Sequence, residues 1–222
     1  MNMGGQLALV HTVPGLISTF EELAKQHLDG WTTFNIVDES LLRNSIRDGS
    51  LGQTTMRRLA GYVMSAVDAG ADAVLVTCSS VGPAVDATRP FCPVPLVRVD
   101  EGMADRASDV GDRIGVLATL NTTLEPTREL IERLARAKGK TPRIEARVCE
   151  GAFDLLSKGD REGHDRAVSE GLMALAAESD VVVLAQASMA RVMDGEKGVR
   201  PDVPVLSSPE LGVLRLKTYL GD

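Results

Sequence analysis

The chain resembles itself at a step of about half its length, and that constrains the fold more than any single motif. The segment Asp72-Ala-Val-Leu-Val, which runs into Thr77-Cys78-Ser79-Ser80, stands 108 residues (180 − 72) before Asp180-Val-Val-Val-Leu, which runs into Ala185-Gln186-Ala187-Ser188. Thr12 matches Thr119 at an offset of 107, and Pro95-Leu96-Val97 matches Pro204-Val205-Leu206 at 109. A near-constant offset indicates two copies of one supersecondary unit. Each copy alternates short Val-, Ile- and Leu-rich runs with longer stretches of helical periodicity, the pattern of βα units on a parallel sheet. The expected architecture is α/β: two pseudo-symmetric domains, each a four-stranded parallel sheet flanked by helices, with an active site in the cleft between them. The expected domains are residues 1–99 together with 209–222, and residues 100–208. The final helix, opened by Ser208-Pro209-Glu210, has no counterpart at the end of the first copy and is expected to return to the first domain.

Within this frame Asp72–Pro83 attracts the chemistry. A continuous apolar run that stops at Thr77, Cys78, Ser79 and Ser80 reads as a strand buried on both faces, delivering a thiol to its carboxyl end. Ligands of open α/β sheets bind just beyond such ends. Residues 81–88 read as a short helix or turn whose amides point at the thiol, a setting that favours thiolate. A buried, inert cysteine is the plainer reading. Small hydroxyl and amide side chains collect at the other strand ends: Thr12, Thr119, Asn121, Thr122, Thr123, Ser188, Ser207 and Ser208. Each alone reads as a helix N-cap; their concentration at one edge of both sheets reads as a binding site for one or two carboxylates. His11 and Asp38 lie at the ends of the first two strands, as proton carrier or ligand contact.

Several segments carry no function in this reading. Residues 43–52 read as a mobile polar connection, Cys92 among prolines as a turn residue, Cys149 as core, and His164 in a charged run as a solvated helix start. Neither phosphate-loop nor dinucleotide glycine motifs occur, and no Cys/His spacing suits zinc, so no structural metal site is expected. A net charge of −7 without a basic stretch argues against nucleic acid and anionic membranes as partners. Three widely spaced cysteines and a start without a signal-like segment suggest a cytoplasmic protein, with self-association left open.

Taken together, His11-Thr12-Val13-Pro14, Val37-Asp38-Glu39, Val76-Thr77-Cys78-Ser79-Ser80, Arg98-Val99-Asp100-Glu101, Leu117-Ala118-Thr119 with Thr122-Thr123-Leu124 and Pro126-Thr127, and Val183-Leu184-Ala185-Gln186-Ala187-Ser188-Met189 resemble the aspartate/glutamate/hydantoin racemase superfamily. Its relatives include arylmalonate decarboxylase and maleate isomerase. The resemblance implies a site without pyridoxal phosphate or metal, where two cysteines act as acid and base on opposite faces of a carbon next to a carboxylate. The first maps onto Cys78. The second maps onto Gln186, which cannot exchange a proton at ordinary pH.

The resulting expectation is a cofactor-independent enzyme for a small carboxylic or dicarboxylic acid, with Cys78 as sole thiol acid/base and Gln186 as a hydrogen-bond donor. His11, Thr12, Asp38, Thr77, Ser79, Ser80, Thr119, Thr122, Thr123, Ala187 and Ser188 are expected to bind substrate. Racemisation would need a second base, from His11, Asp38 or Glu39. A decarboxylase, a cis-trans isomerase with nucleophilic Cys78, and a non-catalytic carboxylate sensor are the alternatives.

Overall fold

The computed structural model describes residues 4–193 and 198–221. The chain divides into two compact units, Met1–Gly102 with Pro209–Asp222, and Met103–Ser208. In the first, β1 (Gln6–His11), β2 (Thr32–Val37), β3 (Ala73–Val76) and β4 (Leu96–Arg98) form a parallel sheet in the order β2-β1-β3-β4. The two central strands are buried on both sides, and their alternating side chains build two cores. Leu7, Leu9, Ala73 and Leu75 point into one with Phe20 and Ala24 of α1 (Ile17–His27). Ala8, Val10, Val74 and Val76 point into the other, with Leu41 of α2 (Glu39–Asp48), Leu59 and Val63 of α3 (Gln53–Asp68), and Ala84 and Val85 of α4 (Gly82–Thr88). A period of two along a strand is what divides one sequence between two faces.

The second unit repeats the plan. After α5 (Glu101–Val110), which begins in the first unit, come β5 (Arg113–Ala118), α6 (Asn121–Ala137), β6 (Arg143–Val148), α7 (Ala152–Ser157), α8 (Arg161–Ala176), β7 (Val181–Leu184) and β8 (Val205–Ser207). The parallel sheet has the order β6-β5-β7-β8. Its register mirrors the first: Leu7 pairs with Ala73 in one sheet, and the repeat-equivalent Ile114 pairs with Val181 in the other. Leu117, Val182 and Leu184 pack on Val168, Leu172 and Leu175 of α8, and α6 lies against β5 and β6. The last helix, α9 (Ser208–Leu220), places Val213 and Leu216 in the first unit's core beside Leu7, Leu9, Val97 and Val99.

Three local expectations change. The stretch 43–52, read as a mobile connection, is mostly α2, which ends at Gly49 with φ 64°. Asp38 caps it by accepting from the Ser40 amide at 2.9 Å, and Leu41 and Ser45 form a narrow buried face. That face is small enough for the charged remainder to hide it in the sequence. Helix α6 starts at Asn121, so Thr122 and Thr123 belong to its first turn rather than to a preceding loop, and Pro126 lies inside it. His164, expected in solvent, is fully buried, because Asp165 and Arg191 supply the polar contacts that its charged neighbourhood seemed to reserve for water.

Candidate active site

In the first unit, the carboxyl ends of β1 and β3 bring His11, Thr12, Thr77 and Cys78 to one edge. Cys78 keeps an extended backbone (φ −133°, ψ 117°) and caps the 3-10 turn Ser79–Val81, which runs into α4. The Ser80 and Val81 amides and the Ser80 hydroxyl bond to its sulfur, and Thr12 stands beside it. The Thr12 hydroxyl is buried and completes no hydrogen bond of good geometry with any group, the sulfur included, yet it is close enough to favour thiolate. Desolvation outweighs these contacts. The side chain keeps partial exposure, but the surrounding protein takes its sulfur out of water, and the net effect raises the thiol above its ordinary 9.0. The expected amides are present, while the expected shift toward thiolate is reversed by burial.

His11 is oriented by both ring nitrogens. Nε2 pairs with Asn35 Oδ1 at 2.9 Å, and Nδ1 with Thr77 Oγ1 at 2.9 Å. Asn35 spends its amide nitrogen on Glu21 at 2.7 Å, which assigns its oxygen to the histidine. The neutral Nε2–H tautomer therefore fits, with Thr77 donating to Nδ1. Burial lowers the imidazole pKa, against the hydrogen bond to Asn35 and the charge of Glu21. Asp38 turns elsewhere, to the Ser40 amide and hydroxyl, Tyr62 Oη at 2.7 Å, and Arg58. Although its partial burial acts the other way, these bonds hold its carboxyl below the ordinary range. Glu39 is exposed in the first turn of α2. The supporting residues Asn35, Glu21, Arg58 and Tyr62 escaped the sequence reading. The only signal was Asn35, a lone amide in the apolar half of β2.

The second unit presents Thr119, Thr122 and Thr123 after β5, and Gln186, Ala187 and Ser188 after β7. The Thr119 amide donates to Gln186 Oε1 at 2.6 Å, and Gln186 Nε2 donates to Thr119 Oγ1 at 2.8 Å. Thr119 and Gln186 are the repeat equivalents of Thr12 and Cys78, so the same two positions touch in both units. A carboxamide stands where the first unit has a thiol, and it occupies the threonine hydroxyl that stays open in the first unit. The Thr122 hydroxyl is buried without a partner, in the first turn of a helix whose opening amides lack intrahelical acceptors. The Thr123 amide bonds to Leu120, and its carbonyl accepts from Thr127. The 3-10 segment Ala187–Met193, with Ser188, is fastened to α8 by Arg191, which donates to Asp165 at 2.8 and 3.0 Å, while His164 Nδ1 lies 2.8 Å from Asp165.

A cavity of about 370 Å³ in this unit is lined by Arg113, Arg143, Glu145, Glu178 and Ser179. It lies at the amino ends of β5 and β6, opposite to the edge where ligands of parallel sheets bind, and Arg113 pairs with Asp180 while Glu145 and Glu178 pair with Arg147. Among the described residues no group of three His, Cys, Asp or Glu is placed to hold a metal ion, and no helix is long and apolar enough to cross a membrane.

The sequence profile described as Asp/Glu/Hydantoin racemase matches residues 12–216. The chain belongs to this racemase family. Among curated proteins there is no match. Solved structures with the same fold include a glutamate racemase from Francisella tularensis in complex with D-glutamate (14% identity, TM-score 0.71, covering 99% of this chain and 82% of that one). Allantoin racemase from Pseudomonas fluorescens is similar at 21% identity, TM-score 0.68, covering 96% and 89%. An aspartate racemase from Picrophilus torridus is similar at 12% identity, TM-score 0.69, covering 99% and 94%. Membership of a racemase family points to an isomerase-type enzyme, and the family acts on small carboxylates. It spans almost the whole of the racemase fold, both sheets included.

Proposed function

We propose that this racemase-family enzyme works without a cofactor on a small carboxylic or dicarboxylic acid, with Cys78 as its one thiol acid, exchanging a proton at a carbon next to a carboxylate. The observation that carries the reading is the environment of the sulfur: strand-end placement, two backbone amides on it, and the unpartnered Thr12 hydroxyl beside it. A buried hydroxyl without a partner costs about 1–3 kcal/mol, and a bound carboxylate oxygen would repair that. Ser79 and Ser80 would complete the carboxylate contacts, as side chains or amides of a preorganised anion site.

The direction of proton transfer follows from burial. A thiol held above 9.0 is protonated at neutral pH, so it is prepared to donate to a carbanion or enediolate rather than to abstract a proton. Two of the three second-base candidates are committed, His11 by both nitrogens and Asp38 to Arg58, Tyr62 and Ser40, while the third, Glu39, is exposed in the first turn of α2. This favours a one-thiol reaction, in which a carbanion left by loss of carbon dioxide takes the thiol proton and the thiolate is reprotonated by solvent, over two-base racemisation. The proposed setting is cytoplasmic.

The test is a screen of small mono- and dicarboxylates in deuterated water, following carbon dioxide release, α-hydrogen exchange and double-bond isomerisation together. Carbon dioxide release with deuterium delivered to the product carbon supports the proposal. Exchange with inversion restores the racemase, isomerisation without exchange assigns Cys78 as a nucleophile, and saturable binding with none of the three makes the chain a sensor. With the active substrate, kcat/KM should hold through pH 8 and fall only above about 9, where the thiol loses its proton. A rise with pH over that range would assign the work to the thiolate.

A further inference from the structure

Beneath the turn that carries Cys78 lies a cluster of charges for which the proposed chemistry has no use. Arg98, the last residue of β4, is buried, and its Nε and Nη2 donate to the two oxygens of Asp100 at 2.9 and 2.8 Å. Its Nη1 donates to Asp86 Oδ2 at 2.6 Å. Asp100 is wholly buried, so the fork of donors satisfies a carboxylate that has no access to water. The guanidinium lies flat against Gly82, where an added methyl would stand 2.4–2.5 Å from Cζ, Nη2 and Nε. Gly82 closes the Ser79–Val81 turn and opens α4, and Asp86 sits one turn further along that helix.

A buried ion cluster of this kind is a poor source of stability, since apolar side chains of similar volume often serve as well or better. What it offers is geometry. A planar guanidinium that makes three hydrogen bonds to two carboxylates can hold a strand end and a helix start at one fixed spacing, which a lysine cannot do. The turn under its control is the one whose Ser80 and Val81 amides reach the sulfur.

We propose that Arg98 is a positioning residue that sets the reactivity of Cys78, by holding the 79–82 turn in register with the sulfur through its bonds to Asp86 and Asp100 and its contact with Gly82. The inference rests on Cys78 as the working thiol, but its test does not require turnover. In a Cys92→Ser, Cys149→Ser background, the rate of Cys78 alkylation by iodoacetamide is measured against pH. Because the midpoint of that profile reports the thiol's acidity, a change in access alone alters its height and not its position.

Arg98→Lys and Gly82→Ala should each move the midpoint upward, with neutral-pH alkylation slowing about tenfold for each unit. Asp86→Asn should move it in the same direction by less. Folded Arg98→Lys or Gly82→Ala protein whose profile superimposes on the parent's overturns the proposal. If Arg98→Lys fails to fold because Asp100 loses its fork, Gly82→Ala, which leaves all three charges in place, decides. If that variant also fails, Asp86→Asn decides, since that carboxylate is 28% exposed and its loss is tolerable. Activity surviving in Cys78→Ser would remove the chemistry from Cys78, while a shifted alkylation midpoint would still show the coupling to Arg98.

Discussion

At Cys78 two influences act on one sulfur, and their balance is the central chemical fact of the site. Amide hydrogen bonds favour the thiolate; removal from water favours the thiol and prevails. Cys78→Ser is nearly isosteric and keeps the contacts, so it should abolish turnover while moving the melting temperature little, whereas Cys92→Ser and Cys149→Ser should leave rates near the parent's. Full activity in Cys78→Ser, measured by turnover beside a thermal melt, would place the chemistry elsewhere. The position of Cys78 was legible in the sequence because an apolar run ending in polar residues marks a strand end. Its acidity was not, since that depends on how much protein surrounds the sulfur, which spacing along the chain does not record.

Gln186 shows the same division between place and partner. The repeat assigned it to the position of Cys78, and both positions adjoin their threonine, but nothing in the sequence indicated that the carboxamide would close on Thr119 through two hydrogen bonds. Gln186→Cys breaks both and supplies the second thiol of the family pattern. If the substrate lies in the interdomain cleft that the repeat leads one to expect, weak α-hydrogen exchange with loss of optical rotation should appear. The gain is limited because a thiol without its own supporting shell is poorly placed for proton transfer. A folded, substrate-binding variant with neither signal would remove position 186 from the reacting carbon.

Among the elements, the strands were the most legible and the polar helices the least. Strands β1, β3, β5 and β7 are continuous apolar runs, which few structures other than a buried parallel sheet can accommodate. Helix α2 was missed because its composition is strongly polar and only Leu41 and Ser45 of its ten residues are buried, so its charged residues read as a loop. The His11 network joins α1, β1, β2 and β3 through Glu21, Asn35 and Thr77, and it carries a pH signature. Burial keeps the folded-state pKa of His11 below the ordinary 6.5. Above that value both states are neutral and stability is unaffected; below it the unfolded chain takes up a proton that the folded chain resists, so stability falls with pH. Melting temperatures followed from about pH 7 down to pH 5 should decline less steeply in His11→Gln than in the parent. Equal slopes would mean that the imidazole is not held neutral.

On the scale of the whole molecule, the repeat and the return of the last helix fix the chain's connectivity. Residues 103–208 form one uninterrupted unit, while the first unit is assembled from 1–102 and 209–222. Helix α9 is fitted closely into it: Gly102 and Gly212 allow backbone approaches in which an added methyl would stand 2.1 Å from Leu211 O and 2.5 Å from Val99 O, respectively. Glu101 accepts from Tyr219 at 2.6 Å and from Arg215 at 3.4 Å. Ending the chain at Ser208 removes two fully buried side chains, Val213 and Leu216, a loss of about 3–6 kcal/mol from a typical total of about 5–15. The 103–208 fragment should therefore melt cooperatively by itself, and the 1–208 chain should show that transition with the first unit unfolded or loosened. Two full transitions in 1–208 would show that α9 is dispensable.

This connectivity also sets an order of events during synthesis. The ribosome delivers Leu7, Leu9, Val97 and Val99 before the second unit, but the side chains that cover them, Val213 and Leu216, are made only after it. The second unit can complete its folding while the first, begun earlier, still shows an open apolar face. Nascent chains of increasing length should resist protease first across 103–208 and only afterwards across 1–102, so that of the two units the one translated earlier is the one that matures later.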